Sequence, residues 1–333
     1  MAAATTTETW DALWTLSRRA KRKRLTDNIS DEYPTLDRFK RGGVMESETG
    51  GKQIQEDLMY ALQAAEWFDD YDVLSTTRMD GITAAFFDWA YLACPIVISL
   101  TEEMESRAAD KSLRLIDAKD RQASQGAMDQ MNASLLSAQA GKSILGLQDM
   151  VPESANTYGG INAATETWWD NQRLNFTAAA SFKTGLTAES FIKKSDDQYE
   201  GVLAMSSMYN SCAEGNDQPN LIISPYAVYG SYENLFEGTG HLRTSAKGPN
   251  VLDGREPAFR AAPFVPDRDC GSDQLFMLNT KYIRYKIQTG MNFAKTPFRN
   301  PPNQLAKVAF VIVGSQLTCN HRQRQGIIYN VAA

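Results

Sequence analysis

Residues 101–138 read TEEMESRAADKSLRLIDAKDRQASQGAMDQMNASLLSA, a stretch with no proline and a single glycine, Gly126. Ala, Leu, Met, Gln, Lys and Glu dominate it, and these side chains lose little freedom in a helix. Glu102, Glu103 and Glu105 fall in the first turn, where the helix dipole favours acids. Leu113, Ile116, Met128, Met131 and Leu135 supply a stripe at helical spacing. At ~1.5 Å per residue the helix would run roughly 50 Å, which suits a spine better than a globular core.

The segments around this helix read as strands. Ala84–Ser99 (AAFFDWAYLACPIVIS) is apolar and aromatic, and Pro95 assigns its end to an edge or a bulge. Leu221–Ser224 reads as a buried strand, followed by a helix that Pro225 starts and Val228, Tyr232 and Leu235 stripe. Residues 237–257 read as loop. Gln274–Leu278 and Tyr282–Ile287 read as strands, and Ala306–Gly314 and Gln316–Asn320 as a closing pair. No internal repeat is evident. Strands mixed with a long helix give the class α+β.

Two regions look unable to bury themselves. Gly42-Gly43 and Gly50-Gly51 bracket an interruption, and residues 51–77 then read as two polar, strand-like arms or a projecting loop. The N-terminus opens with a capping box, Thr5-x-x-Glu8, and carries Trp10, Leu13 and Trp14 at i, i+3, i+4. A lone terminal helix cannot bury two tryptophans, so this arm must dock on its own body or on a neighbour. Arg18, Arg19, Lys21, Arg22, Lys23 and Arg24 follow it. Such a run suits nucleic-acid contact through phosphate neutralisation. It equally suits a solvated face or a partner-binding arm.

The 333 residues carry 34 basic and 40 acidic side chains, a net charge of −6, with 43 % hydrophobic residues. That is ordinary globular usage. No run approaches the ~20 apolar residues of a membrane helix. MAAATTTETW lacks the basic start and apolar core of a signal peptide, so the chain is expected to fold where it is made. Charge is segregated along the sequence. Residues 53–110 hold twelve acids and two bases, and residues 274–333 hold eight bases and no acid. Self-association can use such segregation, with an acidic surface of one copy meeting a basic surface of the next. The expected partners are the loop residues Glu66, Trp67, Phe68, Asp69, Asp70, Tyr71 and Asp72 on one side. On the other are Lys295, Arg299, Arg322 and Arg324.

The motifs of catalysis are missing. Four cysteines, Cys94, Cys212, Cys270 and Cys319, lie far apart with no C-x-x-C, which suits buried thiols in a reducing compartment. There are two histidines, His241 and His321. Ala140-Gly141-Lys142-Ser143 resembles the end of a phosphate-binding loop, but that motif needs a glycine where Leu136 stands. It reads as a turn. No catalytic residue, metal site or cofactor is expected.

Three segments resemble the major capsid proteins of tailed bacteriophages with the Hong Kong 97-type fold. They are Tyr158–Gln172 (YGGINAATETWWDNQ), Phe276–Tyr282 (FMLNTKY) and Thr296–Gly326, which contains TPF, PPNQ, LTCNHR and RQG. In the first, Ala163 and Asp170 stand where basic residues are usual. Weaker similarity covers residues 51–77 and 83–99. The resemblance implies an N-terminal arm (1–42), an extended loop (43–82), a peripheral domain with the spine helix (83–140 and 286–333) and an axial domain (141–285). It implies a non-enzymatic protein that forms hexamers and pentamers and closes an icosahedral shell around double-stranded DNA. The shell would be a virion capsid assembled in the host cytoplasm, joined by a portal protein, with scaffold and decoration proteins left open and no membrane. The alternatives are an encapsulin-like shell that holds protein cargo, and a DNA-binding protein acting through Arg18–Arg24.

Overall fold

In a computed structural model the described residues are 33–74, 77, 79–105, 109–176, 194–195, 198–237, 251–252, 256–260, 262–302 and 304–331. Trp10, Leu13, Trp14 and Arg18–Arg24 therefore lie outside them, as does most of the loop expected at 237–257. The chain begins with α1 (Pro34–Arg41), β1 (Met45–Glu48), β2 (Gln53–Met59), β3 (Ile82–Asp88) and β4 (Ala90–Ser99). Next come α2 (Leu100–Glu105), α3 (Ala109–Leu136), α4 (Leu147–Met150), β5 (Thr157–Tyr158), β6 (Ile161–Asn162) and β7 (Gln172–Asn175). They are followed by β8 (Lys194–Ser195), β9 (Gln198–Tyr199), α5 (Glu200–Cys212), β10 (Leu221–Ser224) and α6 (Tyr226–Glu237). The last strands are β11 (Val251–Leu252), β12 (Glu256–Phe259), β13 (Ala262–Pro266), β14 (Leu275–Leu278), β15 (Ile283–Gln288), β16 (Ala294–Lys295), β17 (Ala306–Cys319) and β18 (Gly326–Tyr329).

Two larger sheets organise these elements. In the first, β17 is central. It pairs with β4 along one side, Ala306↔Ser99 through Ser315↔Ala90, and with β15 and β16 along the other; β1 lies outside β15. The second has the order β11-β12-β13-β10-β14-β18-β7. Helix α3 lies on the first sheet, with Ile116 and Ala123 packed on Ile96, Ile98, Ala309 and Val311. Its far end enters the main core through Met131, Leu135 and Leu136. Helices α5 and α6 cover the second sheet through Met205, Met208, Val228 and Tyr232. The 28 residues of α3 span ~42 Å.

Several expectations need correction. The closing pair at 306–320 is one 14-residue strand, β17. Gly314 makes no turn there: a Cβ on it would sit 3.1 Å from the Tyr91 ring and 3.2 Å from the Gln288 amide, so the glycine admits close side chains. The stretch 84–99 is two strands separated at Trp89. Pro95 sits inside β4, which pairs with β17 alone, so its missing N–H costs no ladder bond on the open edge. The glycine-bracketed interruption contains β1, paired in parallel with β15. Strand β18 joins the second sheet between β14 and β7.

Candidate subunit interface

Strands β2 and β3 form a seven-pair antiparallel hairpin from Gln53↔Asp88 to Met59↔Ile82. Alternation puts one face inward, so Ile54, Leu58, Ala85 and Phe87 are buried. The inward face rests on Gly159, whose φ is +61°. A Cβ there would lie 2.8 Å from Ala85 and from the Phe87 ring, so glycine is required twice, for backbone and for space. The Phe86 N–H donates to the Gly159 carbonyl (3.0 Å). Polar contacts complete the root. Glu56 accepts from Thr318 Oγ1 (2.9 Å) and pairs with Lys286 (2.7 Å), which also meets Glu48 (2.9 Å).

Behind Gly159 lies a side-chain cluster that sequence reasoning missed. Arg322 is fully buried. Its guanidinium carbon stands 5.1 Å from the Tyr158 ring centre and 5.9 Å from that of Trp169. Its Nε donates to the Met150 carbonyl and one Nη to Asn156 Oδ1, both at 2.8 Å. Burial lowers the Arg322 pKa and raises that of Tyr158 well above the usual phenol value. The Trp169 indole donates to the Tyr158 carbonyl (2.9 Å), and the Tyr158 hydroxyl to the Leu317 carbonyl (3.0 Å). Trp168 stacks on Tyr60 (5.0 Å, 20°), the first residue past β2. The two tryptophans and Arg322 thus brace the foot of the loop. The adjacent Trp-Trp pair and the double glycine were the available signals.

Beyond Tyr60 the loop leaves the body. Trp67 and Tyr71 are fully exposed (103 % and 98 %), and Phe68, Leu62 and Val73 are exposed beside them. Glu66, Asp69, Asp70 and Asp72 are exposed as well. Asp69 and Asp72 shape a turn: the Asp72 N–H donates to the Asp69 carbonyl (3.0 Å) and the Asp69 N–H to Asp72 Oδ2 (2.9 Å).

The expected basic surface is not assembled. Arg322 is in the core. Lys295 pairs with the buried Asp120, and Arg324 pairs with Glu214. Arg299 is exposed. Three further bases of the acid-free segment are matched within the subunit: Lys281 with Asp217, Arg284 with Glu46, and Lys286 with Glu48 and Glu56. Asp170, at a position where a basic residue is usual in the resembled segment, pairs with Arg173. Ala140–Ser143 is a turn, with Gly141 at φ +63° and the Ser143 N–H donating to the Ala140 carbonyl (3.2 Å). The four cysteines are free thiols, and burial pushes Cys212, Cys270 and Cys319 up to about 12.

No family model matches the sequence, and no curated protein does. Solved structures do. The capsid asymmetric unit of cyanophage A-1(L) superposes with a TM-score of 0.59 at 14 % identity, over 87 % of this chain and 90 % of that one. The chain has the Hong Kong 97-type capsid fold. The capsid of the native GTA particle gives 0.57 at 11 % identity, over 88 % and 90 %. The holo-SrpI encapsulin complex from Synechococcus elongatus PCC 7942 gives 0.53 at 7 % identity, over 88 % and 87 %. Helix α3 is the long helix that lies on the first sheet, and the β2–β3 hairpin carries the projecting loop.

Proposed function

We propose that the protein is the major capsid subunit of a tailed bacteriophage, forming hexamers and pentamers that close an icosahedral shell around double-stranded DNA. The observation that carries this reading is the extended loop. A braced root holds out a tip on which Trp67 and Tyr71 are fully exposed and Phe68 largely so. Burying one such side chain is worth roughly 1.5–3 kcal/mol, and in a symmetric assembly every copy gains it. A capsid fold matched along most of its length supports the same reading. On it, the role is structural, and residues 1–42, 43–82, 83–140 with 286–333, and 141–285 act as arm, loop, peripheral and axial parts, with β18 tying the last segment back to the axial part. The expected location is the virion capsid, assembled in the host cytoplasm with a portal protein.

A shell that holds protein instead of DNA is the second reading, because an encapsulin complex superposes on the chain over a similar share. Electron microscopy of particles from the overexpressed protein, followed by nuclease treatment and extraction, separates the two. Closed shells whose nucleic acid survives nuclease support the capsid reading. Shells with protein cargo and no nucleic acid support the encapsulin reading. A soluble monomer at high concentration overturns both.

A further inference from the structure

A cavity of about 300 Å³ lies where α3 approaches the second sheet. Separate parts of the chain line it. Tyr33 and Pro34 stand at the start of α1, Asn132 comes from α3, Tyr226 begins α6, and Asp267, Arg268 and Asp269 follow β13. Tyr226 and Arg268 are exposed, so the cavity opens to solvent. One buried polar atom of this lining is unmatched. Asn132 Nδ2 donates to Asp267 Oδ1 (3.0 Å) and to Asp269 Oδ2 (2.7 Å). Two carboxylates on the amide nitrogen fix which way the amide is turned. The Asn132 Oδ1 is thereby directed away from them. This atom, on a side chain only 1 % exposed, has no hydrogen-bond partner. A buried acceptor is costly unless a donor reaches it.

The charges around it ask for the same kind of partner. Asp267 is buried and has no ion pair among the described residues. It accepts from Thr35 Oγ1 (2.6 Å), the Thr35 N–H (3.4 Å) and the Asp269 N–H (3.1 Å). The positive end of α1, which would otherwise favour an anion, is thus already answered. Arg268 divides itself between Asp269 (3.3 Å) and Asp129 (2.7 Å), so the carboxylates outnumber the cation. Among the described residues no group of acids, histidines and cysteines is arranged to hold a metal ion. The walls instead offer Pro34 and the rings of Tyr33 and Tyr226, which suit methylenes and attract an ammonium. We propose that this cavity binds a small primary alkylammonium ion. Its ammonium donates to Asn132 Oδ1 beside Asp267 and Asp269, and its carbon chain lies against Tyr33, Pro34 and Tyr226. Bound there, it ties α1, α3 and α6 to the segment after β13 and stabilises the folded subunit as its concentration rises.

Calorimetric titration of the full-length protein with n-butylammonium chloride tests the site, with ionic strength held constant by sodium chloride. One ion per chain is expected, with a Kd of about 1 mM or tighter, within reach of a ligand of this size. n-Butanol, of the same length without the charge, is expected not to bind. Asp269→Asn keeps the shape of a partly exposed side chain and is expected to weaken binding about tenfold. Tyr226→Ala removes an exposed ring and is expected to weaken it about threefold. Asn132→Leu is expected to abolish binding, with unfolding followed in parallel; should it not fold, the other two variants decide. Absence of saturation overturns the site and leaves Asn132 to a lone water. Equal binding of n-butanol, unchanged affinity in both Asp269→Asn and Tyr226→Ala, or one-to-one binding of calcium chloride in place of the amine also overturns it. Binding to unassembled chains that disappears in particles gives the cavity to a lysine of another copy and overturns the free ion. None of these outcomes bears on the shell reading.

Discussion

Arg322 brings a charge into the core with no carboxylate within ion-pair distance among the described residues. Its fork is held by a carbonyl, an amide oxygen and two aromatic faces, a geometry that a lysine point charge cannot reproduce. We expect Arg322→Lys and Arg322→Ala each to cost about 2–4 kcal/mol, from lost packing and from polar partners left unmatched in the core. Denaturant titration of the unassembled subunit measures this, and a lysine variant within ~0.5 kcal/mol of the original would rule the fork out as the anchor. The double glycine gives a sharper contrast. Both residues have positive φ, +61° and +80°, but the space around them differs. Gly160→Ala is expected to cost about 1 kcal/mol, the left-handed backbone alone. Gly159→Ala is expected to cost about 2–4 kcal/mol, because its Cβ also strikes Ala85 and Phe87. Equal costs in the same titration would show that the hairpin yields. The sequence marked this segment by resemblance and gave no reason for it. Arg322 looked like surface because a lone arginine in a basic segment carries no sign of burial.

Elements with a local signal were legible. The spine helix follows from composition, first-turn acids and stripe spacing, all within one window. The loop follows from aromatic residues with no core-type neighbours in sequence. The single strand β17 was not legible, because Gly314 has the local signature of a turn while its reason lies at Tyr91 and Gln288, far away in sequence. The loop's two parts should answer differently to mutation. Trp67 and Tyr71 are fully exposed and Phe68 largely so, and Trp67→Ala, Phe68→Ala and Tyr71→Ala together are therefore expected to leave the subunit's unfolding within ~0.5 kcal/mol of the original. Particle yield should fall by orders of magnitude, since these three anchors would carry most of the burial at the contact. Sedimentation and denaturant titration on the same preparations read both numbers. A triple variant with normal particles would show that the tip stays bare in the shell.

At the scale of the whole molecule, charge shows why a sequence pattern misleads. Bases of the last sixty residues meet acids 64 to 238 positions away, such as Asp217 for Lys281 and Glu48 for Lys286. The folded chain brings segments far apart in sequence together on the first sheet, where β1 lies against β15. Segregation along the sequence is thus turned into pairing across strands, and the only strong excess left among the described loop residues is the acidic tip. The same geometry bears on whether copies are joined covalently. A lysine–asparagine isopeptide bond between subunits needs an amine that can leave its own body, a neighbour's asparagine, and an acid that exchanges the proton. Residues 60–81, the projecting part of the loop, contain no lysine. Lys52 precedes β2 at the loop's root, one residue before the Gln53↔Asp88 pair that ties the hairpin at its base. The amine is therefore placed at the root, and the projecting part offers aromatic rings and carboxylates. We expect mature particles to be held by non-covalent burial and charge alone. After boiling in detergent with reductant, they should run as a single band of the chain's own mass. A ladder of chain multiples that survives this treatment would mean that Lys52, or another lysine outside the tip, reaches a neighbour after all.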